Sequence, residues 1–192
     1  MVTRDQILEA AAQIFRQKGF HAASMQDIAE AVNLQKASLY HHVSSKQDIL
    51  LALLDQALDL LTERLMTVLK QDLPADEKLR AAVRCYLEAL AERSDLASVM
   101  ILEYRSLDPE SLARHVPRRD RFERLWRDLV KEGFDSGEFC ATDPAMTARS
   151  LLGVMNWTIT WYRPNGPLTI QQIADQIASL FLTGLLCRSR DN

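Results

Sequence analysis

The stretch Lys36-Ala37-Ser38-Leu39-Tyr40-His41-His42-Val43 carries its chemistry on one side. Counted at about 100° per residue, Leu39 and Val43 mark an inward face one helical turn apart. Ala37 and His41 point the opposite way, with Ser38 and Tyr40 beside them and Lys36 and His42 on the flanks. Such a surface, small and rich in donors, suits base edges and phosphates in a DNA major groove, where bulky apolar groups fit badly. Lys46, at the start of the next helical stretch, adds a cation and a helix N-terminus suited to phosphate. A solvated face of a small helical bundle carries the same residue types, so pattern alone leaves both readings open. The adjacent pair His41-His42 is not expected to hold a metal, because neighbouring helical residues diverge by about 100°. The chain has no HExxH, no Glu-x-x-His pair, no nucleophile elbow and no Gly-rich phosphate loop. No enzyme, metal site or cofactor is expected.

The elements that must position this face are helices. Ile7, Leu8, Ala11, Ala12, Ile14 and Phe15 recur at helical spacing behind a Thr3/Gln6 capping box, and Gly19 stops the run. A second helix starts at Ser24, with Asp27 three residues on and Ile28, Ala29 and Val32 inward. Asn33 suits the left-handed turn that follows. The third segment spans 34–43, and Ser45 with Asp48 opens a long fourth helix through Ile49, Leu50, Leu53, Leu54, Leu58 and Leu61. Two short helices joined by a turn of a few residues have the layout of a helix-turn-helix.

The rest of the chain also reads as helix. Pro74 opens a helix to about residue 93, Ser94 caps another, and Asp108-Pro109 and Asp143-Pro144 each pair a cap with proline at the first helical position. A helix ends near Gly133–Gly137, Arg163-Pro164-Asn165-Gly166-Pro167 breaks the chain, and Thr169 with Gln172 caps a last helix to about residue 186. The expected class is all-α: a helix-turn-helix domain over 1–46 and a larger helical domain over 47–192. With 192 residues, 47% of them hydrophobic and 26% charged, the composition is that of an ordinary globular protein. The formal net charge of -3 says nothing for nucleic acid; residues 1–46 alone carry five cations against four acids. No apolar run approaches the roughly 18 residues of a membrane span, and the first residues start no signal peptide. Cys85, Cys140 and Cys187, odd in number and widely spaced, suit free thiols in a reducing cytoplasm, the expected location.

Ala10-Ala11, Phe15, Lys18-Gly19-Phe20, Ser24-Met25-Gln26-Asp27-Ile28-Ala29 and Ser38-Leu39-Tyr40-His41-His42-Val43-Ser44-Ser45-Lys46 together resemble the DNA-binding domain of TetR-family transcriptional regulators. The match covers roughly residues 3–50 with spacing intact. It implies an all-helical homodimer that represses transcription from a near-palindromic operator until a small molecule enters the C-terminal domain. By this resemblance Lys36, Ala37 and Ser38 meet base edges. Tyr40, His42 and Lys46 grip backbone phosphate, His41 does either, and Ser24 and Gln26 approach the backbone from the second helix.

In the C-terminal region two apolar faces are too rich for a monomer surface: Ala148, Leu151, Leu152, Met155 and Ile159, then Ile173, Ile177, Leu180, Phe181 and Leu185. Gly184 permits close approach of a partner. The resemblance implies a dimer interface built on Leu151, Met155, Ile173, Ile177, Leu180, Phe181 and Gly184; an internal core is the other reading of these faces. An effector site is expected among helices five to eight, from Met100, Glu103, Tyr104, Arg105, Phe122, Trp126, Asn156, Trp157, Thr160 and Trp161. These residues mix large apolar walls with a few polar groups. Residues 153–186 are similar to a subgroup of the family that senses acyl-CoA thioesters. The cations Arg114, Arg118, Arg119, Arg121, Arg124 and Arg127 could hold CoA phosphates. Asp120, Glu123 and Asp128 among them make a salt-bridged solvent face the favoured reading. The expected function is thus a ligand-responsive, operator-binding regulator. The alternatives are a DNA-binding regulator without a small-molecule ligand, and an all-α binding protein or enzyme.

Overall fold

The structure, a computed structural model, describes residues 2–140 and 143–185. Nine α-helices follow one another among them, and the chain divides into two compact units. Unit 1 is Met1–Asp59 with Arg93–Arg119, and unit 2 is Leu60–Glu92 with Asp120–Asn192. The sequence predicts a boundary at residue 46, drawn by role. The compact units follow packing, and unit 1 draws in a segment from the middle of the chain.

In unit 1, α1 (Arg4–Lys18) begins at a reciprocal capping box in which Gln6 N–H donates to Thr3 Oγ1 and Thr3 N–H to Gln6 Oε1. It ends at Gly19, whose φ of 78° is the left-handed region open to glycine. α2 (Met25–Ala31) repeats the device with Ser24 and Asp27. Asn33, at φ 55°, turns the chain toward α3 (Lys36–Leu39). That helix is shorter than the expected 34–43. After one turn His41 N–H and His42 N–H bond to the carbonyls three residues back, at Ser38 and Leu39, so the backbone tightens. Only Leu39 and Val43 are buried here, and the Ser45 cap of the next helix follows at once, so little packing is available to extend the helix.

The first part of α4 (Lys46–Leu69) supplies Ile49, Leu50, Leu53 and Leu54 to one core with Ile7, Phe15, Ile28 and Leu39. α6 (Ser94–Leu102) packs on α1 and adds Leu96 and Val99, followed by a 3-10 turn at Tyr104–Ser106. Arg16 ties the pair, donating to Asp95 Oδ1 at 2.6 Å and Ser94 Oγ at 3.0 Å.

In unit 2, α5 (Ala75–Glu92) packs against α9 (Ile170–Leu185) and α8 (Pro144–Trp161). α7 (Pro109–Asp135) and α4 both run through the division between the units. The expected end of the last helix at 186 lies outside the described residues, as does Cys187. Thr169 and Gln172 cap α9 as expected, and Asp143 caps α8 with Pro144 behind it. α7 passes through Gly133, which is needed for space: a Cβ there would stand 2.3 Å from the Phe139 ring. Cys85 is a free thiol, which burial pushes to a higher pKa, whereas Cys140 is disulfide-bonded, correcting the expectation of three free thiols.

Candidate functional site

The α2–turn–α3 unit carries the candidate nucleic-acid surface. Inward, Ile28, Ala29, Leu39 and Val43 are buried, and this fixes which side of the short α3 faces out. Outward, Lys36, Ala37 and His41 are exposed and Tyr40 is 48% exposed, so its ring is not packed away against α4. Ser38 and His42 are half-buried at the edges. Lys36 has no ion pair among the described residues. The face therefore presents a cation, a phenol and an imidazole over a backbone that Ala37 leaves approachable.

At the start of α2, Ser24 and Gln26 are exposed, but their side chains have partners. The Ser24 hydroxyl donates to Asp27 Oδ2 at 2.9 Å, and Gln26 Nε2 donates to Glu30 Oε1 at 2.7 Å. The Lys18 ammonium, 2.7 Å from Asp27 Oδ1, holds that carboxyl at about 2, helped by the backbone and hydroxyl of Ser24. The N-terminus of α2 thus already has its own anion, itself neutralised by Lys18.

Lys46 is placed differently from the expected phosphate contact. Its ammonium donates to Phe20 O and Ala23 O, both at 2.7 Å, and to His21 O at 3.4 Å, and lies 4.4 Å from the Phe20 ring centroid. All three donors are committed to the loop joining α1 and α2, so reaching a phosphate requires giving up these bonds. Charge in the sequence marked the residue but not this destination.

Four effector candidates lie in unit 1 and six in unit 2. Glu103 holds the α1–α2 loop, accepting from Phe20 N–H at 3.1 Å and from Ser106 Oγ at 3.0 Å. Tyr104 and Arg105 pair with each other, and Met100 packs on the unit 1 core. In unit 2, Phe122 and Trp126 are buried beside Tyr86, whose hydroxyl donates to Asn156 Oδ1 at 2.6 Å. Burial pushes the Tyr86 phenol up, so it stays a donor. Tyr86 was missed in the sequence, where it reads as one more member of the α5 apolar stripe. The signal was its hydroxyl, since a buried tyrosine requires a partner. Thr160 is exposed, Trp157 is 66% exposed and Trp161 is 45% exposed, so these three do not join Tyr86, Phe122 and Trp126.

The dimer candidates also separate. Leu151, Met155, Ile173 and Ile177 lie inside unit 2, and side chains so buried have no surface left for a partner. Leu180 is 70% exposed, Gly184 is exposed and Phe181 is half-buried. The free apolar face of α8 is instead Met146, Val154, Trp157 and Trp161, at spacings of a helical stripe. On α9 an open groove runs past Leu180, Thr183 and Gly184. The arginine run on α7 is partly paired: Arg118 contacts Asp59, and Asp55 at 3.3 Å, while Arg149 pairs with Glu123. Arg114, Arg121, Arg124 and Arg127 have no ion pair among the described residues.

An exposed donor face on a helix-turn-helix, in a chain whose other unit is also all-α, defines the class as a DNA-binding regulator. Two family models match: bacterial regulatory proteins of the tetR family over residues 7–53, and the tetracyclin repressor-like C-terminal domain over residues 72–185. The chain belongs to the TetR family of transcriptional regulators. It is 28% identical to the HTH-type transcriptional repressor KstR2 of Mycobacterium tuberculosis (strain ATCC 25618 / H37Rv), over 95% of this chain and 92% of that protein. Among solved structures, the TetR-family regulator PfmR from Thermus thermophilus superposes with a TM-score of 0.87 at 36% identity, covering 94% of this chain and 98% of that one. AibR in complex with isovaleryl coenzyme A and operator DNA superposes at 0.85 with 30% identity, over 92% and 96%. The named relatives are transcriptional regulators rather than enzymes. Among the described residues no helix is long and apolar enough to cross a membrane, and no group of three or more His, Cys, Asp or Glu residues could hold a metal ion.

Proposed function

We propose that this protein is a cytoplasmic, homodimeric repressor that binds a near-palindromic operator and is released by an acyl-CoA thioester. The observation that carries the DNA half is the exposed face of Lys36, Ala37, Tyr40 and His41 over a buried Leu39 and Val43. Lys36, Ala37 and Ser38 read bases, while Tyr40, His41 and His42 take phosphate, with Ser24 and Gln26 approaching the backbone. Lys46 supports this surface by holding the α1–α2 loop. A two-fold dimer through the exposed stripes of α8 and α9 sets two such faces about one duplex turn or more apart. Leu180, Gly184, Val154 and Trp157 carry that interface. The effector class is supported by the likeness to AibR, whose complex contains isovaleryl coenzyme A. Arg121, Arg124 and Arg127 are available to its phosphates.

Release is a population shift. The thioester favours a dimer whose reading faces no longer match successive grooves, and moving occupancy from 99:1 to 1:99 takes about 5.5 kcal/mol of differential binding. The test is titration of the protein against the DNA flanking its own gene at two salt concentrations, with and without thioesters from isovaleryl-CoA to oleoyl-CoA. Tight, salt-sensitive binding that one thioester reverses is expected. Binding that no thioester disturbs retains a DNA-binding regulator without this ligand class, and no binding to any fragment overturns the reading.

A further inference from the structure

Trp126 is fully buried, and its indole Nε1–H is the buried side-chain donor that lacks a hydrogen-bond partner among the described residues. Leaving such a donor unpaired costs about 1–3 kcal/mol, and native interiors rarely carry that cost without a use for the group. No hydrogen-bond acceptor among the described residues relieves it. The Tyr86 and Trp126 rings meet in a T-shape with centroids 5.7 Å apart, and Phe122 stacks on Tyr86 at 6.1 Å. The Tyr86 hydroxyl commits its proton to Asn156 Oδ1, on a side chain that is only half-buried. Three helices of unit 2 thus bring together apolar ring surface and one buried, unpaired N–H donor, with no carboxylate among the four residues. An occupant that satisfies this arrangement supplies an acceptor oxygen on an otherwise apolar group.

We propose that the Trp126 indole N–H is the specificity donor of the effector site, receiving the carbonyl oxygen of an acyl thioester whose chain packs on Tyr86 and Phe122. This rests on the thioester reading above and adds the atom that recognises it. Tyr86 and Asn156 act as a second polar point that holds the phenol ring in place beside the indole.

The experiment is a double comparison on the full chain. Wild type and Trp126→Phe are each bound to operator fragment at matched occupancy. Each is then titrated with an acyl-CoA thioester and with the S-alkyl-CoA thioether of equal chain length, which lacks the carbonyl. In wild type the thioether is expected to need about tenfold more for half-release, the worth of one well-made hydrogen bond. In Trp126→Phe the two ligands are expected to be equal. In parallel, the indole N–H resonances of 15N-tryptophan-labelled wild type are followed, that of Trp126 identified by its loss in the variant. It is expected to be unbonded and slow to exchange in the free protein, and to shift downfield with the thioester but not with the thioether.

Equal potency of thioester and thioether on wild type overturns the assignment. So does an indole resonance unmoved by a thioester that releases DNA, while the effector reading stands. A resonance already bonded in the free protein, as a buried water would make it, overturns the assignment as well. If no thioester releases DNA, the effector reading itself fails and this assignment falls with it. The thioester–thioether comparison on wild type uses unmutated protein only, so the test survives a variant that folds poorly.

Discussion

Replacing Lys46 by methionine separates two uses of one cation. The side chain keeps its length and its contact with the Phe20 ring but loses the ammonium, and with it bonds of 2.7 Å to Phe20 O and Ala23 O and one of 3.4 Å to His21 O. Bonds from a charged donor contribute about 1.5–3 kcal/mol each, and the third is too long to count fully. His21 and Ala22 are exposed, so water can reach part of this loop and recover some of the loss. The lost cation–π contact adds about 0.5–1 kcal/mol. The net expectation is a destabilisation of about 2–3 kcal/mol. Urea unfolding read by helical circular dichroism, together with hydrogen exchange of the amides in residues 19–24, measures it. The same variant is titrated with operator fragment over a range of salt. Because the ammonium faces the protein's own carbonyls, the log–log salt slope should stay at the wild-type value. A phosphate contact would lower it by about 0.9 per chain. A variant within 0.5 kcal/mol of wild type and with the reduced slope would refute the reasoning and return Lys46 to the DNA surface.

Gly133→Ala should destabilise unit 2 by about 1–3 kcal/mol, because the new methyl meets the buried Phe139 ring at 2.3 Å; thermal unfolding reads it, and an unchanged midpoint would count against this packing. Leu180→Glu places a charge on a side chain that is 70% exposed, so the folded chain should be retained while sedimentation shifts from dimer to monomer; a persistent dimer would exclude the α9 face. Tyr40→Ala should weaken operator binding about tenfold and uniformly across sequence variants, with stability within 0.5 kcal/mol of wild type, since the ring packs on little. For Asp27, whose folded carboxyl titrates near 2, the stabilising effect is complete above the unfolded carboxylate range near 4 and is lost as pH falls toward 2. A carboxyl carbon titration should therefore give a midpoint near 2 in wild type and a higher one in Lys18→Gln; an ordinary midpoint in wild type would show that the Lys18 contact is absent.

Much of unit 1 was legible because its determinants are local. Thr3 with Gln6, Ser24 with Asp27 and Ser45 with Asp48 are caps that act over three residues, and Gly19 and Asn33 are backbone conformations a single residue type favours. The outward face of α3 followed from Leu39 and Val43 alone. The length of α3 was not legible, since a periodic run of ten residues gives no sign that the backbone tightens after one turn. In α8 periodicity itself was ambiguous. Leu151 and Met155 form one apolar stripe, and Met146, Val154, Trp157 and Trp161 form another; nothing local says which of the two meets the chain's own core.

The sequence by itself determined the helical class, the helix-turn-helix, the caps, and a membership in the TetR family that its N-terminal motif carries. Each of these is written in residue types at fixed short spacings, where side chain and backbone meet within one turn. Only the tertiary structure decided that the Lys46 ammonium turns to the α1–α2 loop, that Glu103 joins the same loop from 83 residues away, and that the Trp126 N–H stands unpaired beside Tyr86. It also decided which stripe of α8 is core. These outcomes depend on which surfaces meet across long stretches of chain, and burial assigns a charged, polar or apolar group its partner only after those surfaces have met.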